Sequence, residues 1–403
     1  MDSTSPKRFR NKGQQDYSVL TVNGRLVLRR IRWHAPLHGS ITIIDAYLDQ
    51  SERTISVGVR EMACRLNASS ANFDLAAENL HRTAQVHTSG ETLRNLVEEE
   101  GRKVVKAQQQ GKLPITWSAS DCSTRLNGTV GSARVYLGSD GVQVPMVSDL
   151  EKKARRKLIR AKRRRRLSRG CKCRPLSRVK VGTDQRYKEF KIVTYYDETQ
   201  DHRIVAGTKN DHHQAGRLMR QMATQIQLNQ APEKIGIVDG APWISNQIKR
   251  QNIPLDGLGL DFYHLAENVH EARRAIYGEK SEPGQTWVSE VLHSFRHEGY
   301  VPAMSLLSDW HANLSEDKQK PAIALINYVK EREKMIGYPE FAEKGWQIGS
   351  GPTESMCKVL TRRLKGSGMR WDGENAEAVM ALESLFQSGM WNAYWQSDVP
   401  RAA

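Results

Sequence analysis

Two apolar runs, far apart in the chain, each end in aspartate followed by glycine: RVYLGSDG over Arg134–Gly141 and KIGIVDG over Lys234–Gly240. A short β-branched run bounded by glycine predicts a buried strand, and the glycine predicts the turn that takes the chain off the sheet. A carboxylate held at the end of a core strand is rigid and faces solvent, which suits a metal ligand or an acid–base group. An ordinary strand and Asp-Gly turn is the alternative.

The neighbouring patterns extend this reading. Tyr187–Thr208 alternates around a turn and predicts a hairpin, followed by a helix over Ala215–Leu228. Pro242 opens a helix to about Gln251, and Leu258–Asp261 is a further short strand. Strand, hairpin, helix, strand, helix, strand is the order that a mixed α/β sheet requires. From Phe262 to about Glu343 the pattern is helical, with breaks expected near Pro283, Gly299 and Pro321. Gly349, Ser350 and Gly351 then form a loop, and Pro352 and Thr353 open a helix with Glu354 in its first turn. Helices over Glu374–Gln387 and Met390–Trp395 close the chain.

Upstream, TVNGRLVLRRIRW predicts a hairpin with an Asn-Gly turn. SITIIDAYLD ends an apolar run at Asp45, but no glycine follows, so Asp45 reads as structural. Residues 53–112 carry helical spacing. The last of these helices is capped by Thr88 or Ser89, buries Leu93, Leu96 and Val97, and has Gly101 near its end. The set is either a helix-turn-helix or a plain helical bundle; Glu98, Glu99 and Glu100 disfavour deep insertion of that end into a groove. The domain boundaries expected are 1–52, an N-terminal extension; 53–112, helical; 133–261, a first core part with a basic insert over 151–181; 262–343, a helical insertion; and 344–396, a second core part.

Charge narrows the partners. Lys152–Lys180 holds sixteen Lys and Arg and no acid, so this one segment accounts for the whole net charge of +16. Such a density repels itself and calls for a polyanion. Nucleic acid fits best, because neutralising phosphates releases counterions. Lys152, Lys153, Arg155, Arg156, Arg163, Arg164, Arg165 and Arg166 are the expected DNA contacts, on a helix that firms up on binding. Cys171 and Cys173 have the wrong spacing for a zinc knuckle. Five scattered cysteines imply a reducing compartment. No run of eighteen apolar residues and no signal peptide is present, so a cytoplasmic, nucleoid-associated protein without a membrane partner or small-molecule substrate is expected.

Asp140, Asp239 and Glu354 form the candidate constellation. Three converging carboxylates repel one another and need cations between them. Two Mg²⁺ ions, with Mn²⁺ as a substitute, bridged by such carboxylates bind a phosphodiester, activate the attacking oxygen and stabilise the leaving one.

The ordered set SDG, IVDGAPWI, DFYH, and GSGPTES with RRLKGSGMRW resembles the DDE transposases of bacterial insertion sequences, most closely the Kra-type family in the Mutator-like group. The resemblance runs from about residue 55 to 396. It implies an RNase H-like core interrupted by a helical insertion, with Asp140, Asp239 and Glu354 as the metal-binding catalytic acids. It also implies a homo-oligomer on DNA, which joins transposon ends to a target. Asp261 and His264 match a Cys or Asp, two residues, then His pattern of that group, which gives His264 a place near the reaction. Arg370 and Trp371 become candidate DNA contacts, with core packing the alternative for the tryptophan. Trp287 and Trp310 in the insertion either stack on a flipped base or pack in the core. A nuclease that cuts without joining, and a domesticated DNA-binding regulator, are the rival functions.

Overall fold

The computed structural model describes residues 9–36, 39–43, 54–122, 124–126, 129–131, 133–176 and 181–397; Asp45 lies outside them. The chain forms two compact units, one of Met1–Pro114 with Arg362–Ala403 and one of Ile115–Thr361.

In the first unit β1 (Arg10–Thr21) and β2 (Gly24–Ala35) pair antiparallel, and β3 (Gly39–Ile41) adds to β2. The turn centres on Val22–Asn23, one residue earlier than expected. Gly24 follows at φ 98°, in the left-handed region where glycine is favoured. Then come α1 (Val57–Ser69), α2 (Phe73–Ala84) and α3 (Gly90–Gln109), capped by the side chains of Ser56, Asn72 and Ser89. Helix α3 does not end near Gly101. A Cβ there would lie 2.3 Å from the carbonyl oxygen of Ala378, so this glycine permits close helix packing instead of stopping the helix. Beside it the buried Glu100 carboxylate pairs with Arg60 at 3.0 Å and accepts the Tyr394 hydroxyl.

The second unit opens with a small ribbon, β4 (Thr124–Leu126) and β5 (Thr129–Gly131). Then follow β6 (Arg134–Pro145), α4 (Asp149–Ser168), β7 (Tyr187–Asp197), β8 (Arg203–Thr208), α5 (His212–Gln225), β9 (Glu233–Val238), α6 (Pro242–Arg250) and β10 (Gly257–Leu260). The five longer-range strands form one sheet in the order β10-β9-β6-β7-β8. β6, β9 and β10 run parallel, and β7 is antiparallel to both neighbours. Three meandering strands with two parallel strands added beside the first make an RNase H-like mixed α/β sheet, as expected. One face packs on α5, where the buried Tyr195 hydroxyl donates to the Met219 carbonyl at 3.0 Å. On the other, Tyr136 stacks on Tyr196 at 5.4 Å and packs with Phe341 and Trp346.

The helical block comprises α7 (Phe262–Tyr277), α8 (Glu282–His297), α9 (Tyr300–Ala312), α10 (Glu316–Lys330) and α11 (Tyr338–Glu343). Its own core gathers Leu265, Val269, Trp287, Phe295, Leu307 and Val329. Pro321 sits inside α10 without ending it; the break falls just before, at Asn313–Ser315. Trp287 and Trp310 stack on each other at 4.2 Å, and the Trp310 indole N–H donates to Tyr277, so the core alternative describes them. After α12 (Gly351–Arg362), α13 (Gly373–Gln387) and α14 (Trp391–Ser397) belong to the first unit, where α13 packs along α3. Among the described residues no helix is long and apolar enough to cross a membrane.

Candidate active site

Strand β6 does not end at Asp140. It runs on to Pro145, with Asp140 opposite Ile192 of β7. What ends is the pairing on its other side: the β6–β9 ladder stops at Leu137↔Gly236, and β9 itself stops at Val238. Gly141 is therefore no turn. A Cβ on it would meet only the far end of the flexible, part-exposed Glu189 side chain of β7, which can swing aside. Gly240 does behave as expected. It is left-handed at φ 79°, and the Asp239 carboxylate accepts the Ala241 N–H at 2.8 Å, which turns the chain into α6.

The registers line up the acids. Continuing the β6–β9 pairing by three residues sets Asp140 level with Asp239. Continuing the β9–β10 pairing from Leu260↔Val238 by one sets Asp261 level with Asp239. On these registers the three aspartates come to one height, Asp239 and Asp261 just past the C-terminal ends of β9 and β10, where α/β sheets place their sites, and Asp140 within β6.

Every second residue of β6, all on one face, guides the chain into the helix that carries Glu354. The buried Arg134 guanidinium donates to the carbonyls of Gly345 (2.7 Å) and Lys344 (3.0 Å). The Tyr136 hydroxyl accepts the Gln347 N–H at 3.1 Å. At Gly138 a Cβ would overlap Thr353, so α12 lies directly on the strand there. The Asp140 carboxylate takes a hydrogen bond from Cys357, one turn further along α12. None of these partners stood out in the sequence. The signal was a glycine inside an apolar strand, which marks a close approach.

Electrostatics follow from this placement. Burial raises the Asp140 pKa above the ordinary carboxylate value, and the nearby Asp239 charge raises it further. The Gly141 N–H, Cys357 and His264 oppose the rise. Asp239, Glu354 and His264 are half-buried. Among the described residues the three predicted acids do not form a set within 4.8 Å of one another. The set that does is Asp261, His264 and Glu354. Asp140 faces Asp239, and Glu354 faces His264, whose Nδ1 also lies 3.2 Å from Glu267. Carboxylates bridging two cations about 3.5–4 Å apart need not touch one another.

A second group of ligand types, Cys122, Asp197 and His202, sits at the far end of β6, where Val135 pairs with Asp197. Its chemistry is that of a turn lock. Asp197 accepts the His202 N–H at 3.2 Å and pairs with its Nδ1 at 2.8 Å, closing the β7–β8 turn. Burial and the Asp197 charge push the Cys122 thiol up to about 12.

The basic insert is a formed helix. Ser148 and Glu151 make a capping box at the start of α4, and its twenty residues bury nothing. Its two ends are tied together where Asp149 N–H and Thr183 N–H bond across to Thr183 and Val147 carbonyls at 3.1 Å. Lys152, Lys153, Arg156, Lys157, Arg160 and Arg164 line an open trough of about 730 Å³. Arg155, Arg165 and Arg166 are exposed, while Arg163 folds back onto the carbonyls of Cys173 and Arg174. In the first unit Arg370 is exposed. Trp371 is 7% exposed, donates its indole N–H to the Leu364 carbonyl and packs on Phe73 and Arg363, which is the core alternative.

No family model matches the chain, and no curated protein matches it. Among solved structures it is similar to a chain of the Drosophila P element transposase strand transfer complex. The likeness has 10% identity and a TM-score of 0.28, over 85% of this chain and 80% of that one. A likeness of this size is no evidence of shared activity.

Proposed function

We propose that the protein is a DNA transposase of the DDE type, from a bacterial insertion sequence related to the Kra-type family. It cuts phosphodiesters at transposon ends and joins the freed 3′-OH to target DNA. The reading is carried by the β6–β9 register, which, continued three residues past its last pair at Leu137↔Gly236, brings Asp140 level with Asp239 beside an RNase H-like sheet, and by the Glu354 helix laid on β6 at Gly138.

The residues present fit a pair of divalent cations. Two carboxylates face each other in a half-buried site, and the cationic side chains nearby lie at its edges: His264, which acts on Asp140, the exposed Lys358, 3.7 Å from Glu354, and Arg332 at the Gly240 carbonyl. Oxygen donors of this kind suit the hard ions Mg²⁺ or Mn²⁺. When bound, the cations supply Lewis-acid activation of the attacking oxygen and charge stabilisation of the leaving one. Asp140, Asp239 and Glu354 hold them. His264, beside Glu354, orients the scissile phosphate. The α4 cations grip the backbone of the DNA, and the fixed strand ends set the in-line geometry. Synapsis of two ends requires at least two copies of the chain on DNA.

The test uses duplexes that carry the ends of the element flanking the reading frame, with 3′-OH transfer into plasmid as the readout. Asp239→Asn and Glu354→Gln are expected to abolish cutting and joining while DNA affinity is kept. Full cleavage by Asp239→Asn refutes the assignment. Cutting without joining by the unaltered protein favours the nuclease, and DNA binding without either favours the regulator.

A further inference from the structure

Asp261 follows β10 directly, and its side chain is wholly buried. One of its oxygens lies within 4.8 Å of a His264 nitrogen and a Glu354 oxygen, a spacing that would ordinarily make it a third metal ligand. Its hydrogen bonds argue otherwise. Oδ1 accepts the backbone N–H groups of Tyr263 at 2.6 Å and His264 at 3.3 Å. Oδ2 accepts the Ser350 N–H at 2.6 Å and the Ser350 hydroxyl. A carboxylate has about four acceptor directions, and here four donors fill them. A cation at Asp261 would have to strip the buried Ser350 N–H and two part-buried N–H groups of α7 of their acceptor.

The charge of Asp261 is also already accommodated. The carboxylate caps the start of α7 and reaches Ser350, the residue just before α12, so it stands at two helix N-termini where the backbone dipoles favour an anion. From each helix start one link leads to the site. Of the two N–H groups that Asp261 holds in α7, the second is that of His264 itself. The carbonyl of Ser350 accepts the N–H of Glu354 at 3.1 Å. Phe262 N–H to the Ile348 carbonyl, at 2.8 Å, reinforces the same junction.

We propose that Asp261 is a positioning residue and not a metal ligand: it clamps Ser350 to the start of α7 and so holds His264 and Glu354 facing each other. The role assigned to the pair rests on the transposase reading above; the clamp itself does not. Asp261→Asn keeps the shape but turns an amide NH₂ toward donors. Ser350→Ala removes one bond without approaching a cation, and Ser350→Thr keeps the hydroxyl.

The experiment has two arms. Without DNA, Mn²⁺ binding is measured by titration calorimetry, and hydrogen exchange is followed at the Glu354 amide and the segment 345–356. With end DNA, cleavage rates are measured at saturating Mg²⁺ and at varied DNA concentration. The clamp predicts faster exchange at Glu354 in both Asp261→Asn and Ser350→Ala, with the number of bound Mn²⁺ unchanged. It predicts a rate loss of roughly 10- to 100-fold in both, the effect expected for supports of metal ligands. That loss falls in kcat with KM for DNA unaltered. The double variant is no worse than Asp261→Asn, and Ser350→Thr recovers the rate. Loss of one bound Mn²⁺ in Asp261→Asn, with Ser350→Ala like the unaltered protein, makes Asp261 a ligand and overturns the proposal. Unchanged exchange in both variants overturns it too. Should Asp261→Asn fail to fold, the Ser350→Ala and Ser350→Thr pair decides. If the unaltered protein cuts no DNA, the transposase reading falls, and the clamp stands or falls on exchange and Mn²⁺ binding alone.

Discussion

Replacing Gly138 by alanine tests whether α12 rests on β6. The added Cβ would lie 1.8 Å from Thr353 Oγ1, 2.9 Å from its Cβ and 3.1 Å from its Cγ2. Rotating the threonine moves the hydroxyl but brings no relief at Cβ, which is fixed to the helix backbone. Ordinary contact begins near 3.4 Å, so the first turn of α12 must retreat by about half an ångström or more. Overpacking of a tight core costs about 1–3 kcal/mol. A displacement approaching 1 Å of a catalytic group costs about 100-fold in rate, and Glu354 adjoins the residue that is pushed. Gly138→Ala is therefore expected to lose modest stability in thermal unfolding and roughly 10- to 100-fold in cleavage of end DNA, with DNA affinity retained. Thr353→Ala on that background removes two of the three clashing atoms and should return part of the rate. A Gly138→Ala protein that cuts at the normal rate would refute the packing of α12 on β6 and with it the placement of Glu354.

Three further outcomes follow from the same geometry. Asp140 has a folded pKa raised first by burial and then by Asp239. Such a raised carboxylate favours folding below its unfolded pKa and loses that contribution as pH rises through the folded value. In EDTA at neutral pH Asp140→Asn should thus melt higher than the unaltered protein, by about 2–4 °C for each kcal/mol relieved, with the gap closing in acid; a lower melting point contradicts the reading. Replacing Arg155, Arg164, Arg165 and Arg166 by alanine should flatten the log–log salt dependence of DNA affinity by up to about 0.9 for each phosphate no longer neutralised, whatever the sequence bound; an unchanged slope removes α4 from the interface. With iodoacetamide at pH 8, exposed Cys171 should react and buried Cys122, pushed up to about 12, should not. DNA should protect Cys171, and equal labelling with and without DNA counts against contact near that end of the insert.

Much of the architecture was legible because local pattern and tertiary role agree. The hairpin over residues 187–208, the turn at Asp239-Gly240, the helix opened by Pro242 and the helix bearing Glu354 all lie where spacing and turn chemistry put them. Two of the misreadings concern glycines taken for local stop signals. Gly141 resembled a turn because Asp-Gly usually is one, yet it pairs with Lys191 inside the β6–β7 ladder. Gly101 resembled a helix stop, yet it answers to Ala378. Where a strand stops depends on which neighbour is lost, and no window around Asp140 records that β9 ends while β7 continues. At the site, His264 was visible only through the resemblance of Asp261-Phe262-Tyr263-His264 to a family pattern, whereas Ser350, Cys357 and the alternate residues of β6 could be recognised only after the sheet had been closed.

The bond between Phe262 and Ile348 has a consequence for how such a chain can change. The helices α7 to α11 leave the core and return to it at neighbouring points, so the excursion is a closed loop with a pinned neck. The entropy of closing a flexible loop grows only with the logarithm of its length, about 0.6 kcal/mol for each doubling. Added length is therefore best tolerated at the turns between α8, α9 and α10, away from His264 in α7 and from Arg332, whose guanidinium donates to the Gly240 carbonyl beside Asp239. The pinned neck in this sense separates two kinds of change: length added at the outer turns is absorbed there, while a shift of α7 or of Arg332 reaches the carboxylates directly.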